Sequence, residues 1–190
     1  MTLRALLIVP AALACLAAAP AKPPAAKAAP AKTPTPAAKP VAKPGAPAAP
    51  FDATNPQSFM DLLAAAGAKA QTSRKEEDAV FVAVTSTAAS FSMQFAGCTP
   101  QGRACKAVLL DNAMERGPAT TAQMNAFNQT SVMCRVYQDR GGVPHVVYSA
   151  ILFRSMTRDD AATHLLAWQG CLADGRDFMR DPVGYLANAA

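Results

Sequence analysis

Two apolar segments joined by a short turn constrain this chain more than any other feature. Ser131–Asp139 reads SVMCRVYQD and His145–Phe153 reads HVVYSAILF, with Arg140-Gly141-Gly142-Val143-Pro144 between them. Runs rich in β-branched and aromatic residues, broken by Gly and Pro, predict a hairpin. A short helix closing at Asn125, Phe127 and Asn128 leads into it. We expect this hairpin to form the centre of a sheet. A strand with one wet face alternates apolar and polar residues, and His145–Phe153 does not. Val147, Ile151 and Phe153 stand on one side, and Val146, Tyr148, Ala150 and Leu152 on the other.

The elements around the hairpin follow from periodicity. Asn55 is a good N-cap and Pro56 suits the first helical position. Phe59, Leu62, Leu63 and Ala66 then line one helical face, which Gly67 ends. Lys69–Asp78 is polar and irregular, with room for part of a strand. Ala79–Thr85, Ala89–Phe95 and Ala104–Asp111 read as three strands. In the second, Phe91, Met93 and Phe95 face opposite Ser90, Ser92 and Gln94. A second helix starts at Thr120 or Thr121 and runs to about Asn128. A third opens at Thr157, with Asp159 and Asp160 at the positive end of its dipole. Its apolar face is Ala161, Leu165, Trp168 and Leu172; Gly175 should loosen its end, and Asp181-Pro182 stops it. The expected class is α+β, in the order α-β-β-β-α-β-β-α, with an antiparallel sheet packed by helices. Trp168 should be buried between the last helix and the sheet.

The chain has 190 residues and a formal charge of +5, and where the charge lies matters more than its sign. Arg4 and Lys22, Lys27, Lys32, Lys39 and Lys43 are all basic, and residues 1–50 hold no acid. The other 12 basic residues face all 13 acidic ones, so residues 51–190 carry −1. A nucleic-acid-binding domain would carry its own basic patch, so no nucleic-acid partner is assigned. Arg4, the apolar run Ala5–Ala19 and the small residues Ala19 and Ala21 read as a signal peptide, residues 1–21, cleaved after Ala21. An uncleaved anchor is the alternative. A lipoprotein attached at Cys15 is another, although Ala12 stands where a lipobox has leucine. Residues 22–50, rich in Ala, Pro and Lys, read as an extended spacer. Its lysines would also permit weak electrostatic contact with a membrane or cell wall. The expected domain spans 51–190, in the periplasm or outside the cell.

Export gives the cysteines their meaning. Cys98, Cys105, Cys134 and Cys171 are an even set in an oxidising compartment, with three connectivities open. Pro100 and Gly102 fit a type I turn beginning at Thr99, which sets Cys98 and Cys105 face to face across a hairpin mouth and predicts a disulfide there. Cys134–Cys171 follows if the last helix packs over the hairpin; two buried free thiols are the alternative.

The element order and several of these residues resemble the YbjN family of bacterial sensory transduction regulators. The matching points are the Cys98…Cys105 hairpin of exported members, the Asn125-Ala126-Phe127-Asn128 motif, the Gly141-Gly142 turn and Trp168. The resemblance covers roughly Phe51–Pro182. The family commonly has tryptophan where this chain has Phe127, and a glycine-led turn where it has Arg154-Ser155-Met156. The fold implied is that of type III secretion chaperones, a curved antiparallel sheet packed by helices. Such chaperones form homodimers and bind extended client segments, so a homodimer or a peptide partner is what the resemblance implies.

No catalytic, cofactor-binding or metal-ligating residue is assigned. Cys98 and Cys105 are too widely spaced for a zinc knuckle, and His145 and His164 lie far along the chain. His164 and Cys171, at i and i+7, are separated by roughly 10.5 Å of helix rise, too far for a catalytic pair. There is no Cys-x-x-Cys, no G-x-S-x-G and no phosphate loop. Glu76, Glu77 and Asp78 sit beside Arg74 and Lys75 and read as a solvated turn. Asn125 and Asn128 read as structural, their amides satisfying backbone groups where helix meets strand.

The function expected is an exported, non-enzymatic regulatory or protein- and peptide-binding module of the cell envelope. The alternatives are a thiol–disulfide exchange protein using Cys98 and Cys105, and a structural protein tethered by its Lys/Pro-rich tail. Three helices can cover one face of a five-stranded sheet, and we do not expect them to cover both. We expect the open face to be an interface and place Val146, Tyr148 and Leu152 on it. The alternative is cover from residues 181–190 or from a curled sheet edge.

Overall fold

The computed structural model describes residues 50–189. The expected signal peptide with Cys15, and the spacer up to residue 49, lie outside the described residues.

Helix α1 (Pro56–Ala65) starts on the expected cap: the Asn55 side chain accepts from the Gln57 N–H at 3.2 Å, and Pro56 follows. Phe59 and Leu63 bury its apolar face. Strands β1 (Lys69–Lys75), β2 (Ala79–Thr85), β3 (Ser90–Ala96) and β4 (Ala107–Ala113) follow. Helix α2 (Thr121–Thr130) opens with a capping box between Thr120 and Gln123. The hairpin is β5 (Cys134–Gln138) and β6 (Pro144–Ile151), and after it come α3 (Arg158–Arg180) and α4 (Pro182–Asn188). The class is α+β. All strand pairs are antiparallel, and the sheet order is β1-β2-β3-β4-β6-β5.

The register lays the core out in rows. Val82, Met93, Leu110, Tyr148 and Cys134 stand side by side across β2 to β5, and Val80, Phe95, Val108 and Ala150 form the next row. All of them are buried. Helix α3 lies against this face with Ala161, Trp168, Cys171, Leu172 and Phe178 turned inward. The Trp168 ring meets Phe91 edge-on, centroids 5.5 Å apart. Burying large aromatic and aliphatic side chains on both partners is the main force holding helix to sheet.

Four expectations change. The sheet has a sixth strand, β1, within the stretch read as irregular. It is an edge strand whose side chains are mostly exposed, so backbone pairing holds it and no apolar period announces it. The hairpin is not the centre of the sheet: β5 is an edge, and β3 and β4 are central. Helix α3 runs through Gly175 to Arg180. A Cβ at Gly175 would lie 2.9 Å from the Met114 sulfur and 3.1 Å from Val146 Cβ, so this glycine lets the helix press onto the sheet. Finally, Asp181 ends α3 and also caps a new helix: its Oδ1 accepts from the Gly184 N–H at 3.0 Å, and Pro182 takes the first position of α4.

Candidate functional site

The face of the sheet away from α3 is built by the other half of each strand. The register aligns Phe81, Gln94, Leu109 and Ser149 in one row and Ala83, Ser92, Asp111, Val147 and Arg135 in the next. Half-buried apolar side chains alternate there with polar ones. The Arg74 guanidinium lies over the Phe81 ring, 3.9 Å from its centroid, a cation–π contact that leaves the arginine in water. Toward the end of β6 the face turns apolar and wet: Ile151 is 61% exposed and Phe153 59%.

Val146, Tyr148 and Leu152, the side chains expected at the interface, lie on the opposite side. All three are buried in the core. The expectation fails because strand β6 is apolar on both faces, and nothing in its own sequence says which face meets the helices. Register decides: Val146 opposes Val136, and Tyr148 opposes Leu110 and Cys134. The open face therefore carries His145, Val147, Ser149, Ile151 and Phe153.

A polar corner closes this face where β4, β5 and β6 meet. His145 Nδ1 lies 2.7 Å from Asp111 Oδ1, and the Tyr137 hydroxyl donates to Asp111 Oδ2 at 3.0 Å. Asp111 accepts on both oxygens, so the imidazole proton sits on Nδ1. The Tyr137 ring stacks on His145, centroids 4.9 Å apart. His145 Nε2 is 3.8 Å from Asp139 Oδ2, and Asp139 is itself fixed in the hairpin turn by the Val143 N–H at 2.8 Å. The Tyr137 phenol is pushed up to about 12, first by burial, then by its bond to Asp111 and the charges of Asp111 and Asp139. Through these bonds the corner clamps β4, β5 and β6 together. Among the described residues, no group of three or more His, Cys, Asp or Glu is placed to hold a metal ion.

In the sequence His145 stood out only as a histidine too remote from the cysteines to hold a metal, and neither its role nor its partners were legible. Asp111 was the available signal: it ends the apolar run AVLLD, on the same face as Leu109, where an unpaired carboxylate would be out of place.

The remaining motif residues act inside the fold. Cys98 is bonded to Cys105, and Cys134 to Cys171 with their Cα atoms 5.4 Å apart. The second bridge ties edge strand β5 to the middle of α3. Asn128 Nδ2 donates to the Val136 carbonyl at 2.9 Å, and its Oδ1 accepts from the Val136 N–H at 2.8 Å. One amide thus occupies the outward backbone groups of an edge residue, closing a site where another strand could add. Asn125 is exposed. Phe127 is buried between Phe178 and Tyr185, at centroid distances of 5.0 and 5.5 Å. His164 Nδ1 bonds the Tyr148 hydroxyl at 2.5 Å and is no partner of Cys171, which is in its disulfide. Glu76 forms an exposed ion pair with Arg74 at 3.1 Å, in the solvated turn expected there.

A model of the YbjN family, described as "Putative bacterial sensory transduction regulator", matches residues 55–174. No curated protein and no solved structure matches the chain.

Proposed function

The chain belongs to the YbjN family, and from that membership we propose an exported, non-enzymatic regulatory module that works by binding a protein or peptide partner. The observation that carries this reading is the sheet face that no described helix covers. Leu109, Val147, Ile151 and Phe153 present apolar surface there, with Gln94, Ser92 and Ser149 between them. Apolar side chains spaced by hydrogen-bonding ones suit a protein surface better than a small molecule, which needs a concave site. The paired cysteines support export, since disulfides persist in oxidising compartments. The family description names regulation and no reaction.

Crosslinking in intact cells tests this. A photoreactive residue at position 147 or 109 should capture one defined partner, and the same group at Thr163, on the outer side of α3, should not. Crosslinks between two copies of the chain would make the partner a homodimer. Equal capture from both positions, or a turnover activity that one substitution in the domain abolishes, would overturn the reading. The thiol–disulfide exchange alternative predicts a Cys98–Cys105 potential near those of redox catalysts; a structural bridge lies far lower. The tethered structural alternative predicts that removing residues 22–50 releases the protein from peptidoglycan or anionic vesicles.

A further inference from the structure

At the other end of the molecule from Phe153, a cleft of about 660 Å³ opens between the end of β4 and the last turns of α3. We propose that this cleft binds a small organic anion, with a carboxylate or phosphate head and a short apolar body.

The walls come from three places. Met114 and Asn112 stand on the strand side, and Met179 and Arg176 on the helix side. The segment after β4 forms the back wall. There Gly117 passes so close to α3 that a Cβ would clash with the Met179 carbonyl, which shuts that end. Met114 is seated by its backbone N–H, which donates to the Pro144 carbonyl at 2.8 Å, and by Gly175 opposite. Met114 and Met179 thus give the two sides soft, adaptable thioether side chains, suited to an apolar body of variable shape.

Three arginines, Arg116, Arg176 and Arg180, line the cleft against one acid, Glu115. Two of them are held by neutral groups. Arg116 Nη2 donates to the Gly141 carbonyl at 2.7 Å, in the β5–β6 turn. Arg176 Nη2 donates to the Ala88 carbonyl at 3.1 Å, in the β2–β3 turn. These turns flank the end of β4 on its two sides, so the guanidinium groups stand on either side of the cleft. A carbonyl fixes a guanidinium without neutralising it, and each arginine keeps further N–H donors in a fixed plane. Arg180 differs: it shares its charge with Asp177 at 2.7 Å. Pre-positioned guanidinium groups beside methionine-lined walls select an anion with a hydrocarbon body, and the volume lies in the range of small-molecule sites. Two sources share this chemistry, a free amphipathic acid and the carboxyl terminus of a peptide.

The test uses the full chain, with octanoate, octanol, and N-acetyl-alanyl-leucine as the free acid and as the amide, followed by nuclear magnetic resonance shifts or calorimetry. Octanoate or the peptide acid should bind saturably, at least tenfold more tightly than its neutral counterpart. Octanoate binding more tightly assigns a free acid, and the peptide acid binding more tightly assigns a chain terminus. R116Q combined with R176Q should weaken the anion at least tenfold, while R158Q, outside the cleft, should leave it unchanged. No saturable binding at millimolar concentration overturns the proposal, as does equal affinity for acid and neutral forms. Should the double variant fail to fold, the acid and neutral pairs on the unaltered chain decide alone.

Discussion

The two faces of the sheet share the same six strands and differ in how their side chains are held. On the face toward α3, rows such as Val82–Met93–Leu110–Tyr148 are closed over by Trp168, Cys171 and Phe178. On the other, Phe81–Gln94–Leu109–Ser149 alternates in polarity, and the Asp111–His145–Tyr137 corner is fixed by hydrogen bonds. One face is specified by packing and the other by hydrogen bonds and water. Substitutions should therefore cost stability on the first and binding on the second.

The largest effect should come from Trp168, which is 1% exposed at the middle of the α3 contact. Trp168→Ala should cost roughly 3–5 kcal/mol in urea unfolding. Among the described residues the buried indole N–H has no hydrogen-bond partner, so Trp168→Phe should cost much less than alanine, since it removes an unsatisfied donor along with some volume. As this is the one tryptophan in the chain, emission typical of exposed indole in the folded protein would contradict the placement.

The two disulfides sharpen the contrast between local and long-range ties. The Cys134–Cys171 bridge spans 37 positions and joins β5 to α3, whereas Cys98–Cys105 spans 7. Loop-closure entropy predicts about 4 kcal/mol for the first and about 2 kcal/mol for the second. Replacing each pair by serine and measuring denaturant midpoints should give that order; the reverse order would mean that the long bridge only links parts already held by packing.

Asn128→Ala should come next, at about 1–3 kcal/mol, because it leaves the N–H and carbonyl of Val136 without their partner. It should also reopen an edge, so concentration-dependent association in sedimentation is the second readout. On the open face, Ile151→Glu should change stability by no more than about 0.5 kcal/mol, while abolishing capture of the partner crosslinked from position 147. A large stability loss there would show that the open face is core after all.

How far the sequence carries is visible in this contrast. The helix starts at Asn55, Thr120 and Thr157 were legible because capping is local chemistry. Strand β3 was legible because Phe91, Met93 and Phe95 alternate cleanly with polar residues. The side of β6 that meets the helices was not, because both sides are apolar and the choice is made by register with β4 and β5. Strand β1 was hidden for the opposite reason: an exposed edge needs no apolar pattern. Arg116 and Arg176 gave no local signal, since 60 positions separate them in the chain and only the fold brings their elements to one cleft.

The smallest effect separates two tyrosines, one on each face. Tyr148, on the core face, has its phenol raised by burial alone. Tyr137, on the open face, is raised from 10.0 to about 12 by burial together with the Asp111 hydrogen bond and the charges of Asp111 and Asp139. A phenol whose pKa is raised by folding favours the native state while it stays protonated. That contribution is fully present below pH 10, declines as pH rises, and is lost through about pH 12. Tyr137→Phe cannot ionise, so its stability should fall less steeply than that of the unaltered chain over this window. The remaining alkaline loss would then come from groups such as Tyr148 and Tyr185, also raised by burial. Because Tyr137 is 43% exposed, water screens the carboxylates and the difference should be small. Asp111→Asn supplies the control: it removes the nearer charge and should flatten the same window. If all three proteins lose stability in parallel between pH 10 and 12, the corner exerts no hold on Tyr137, and hydrogen bonding does not set the open face apart.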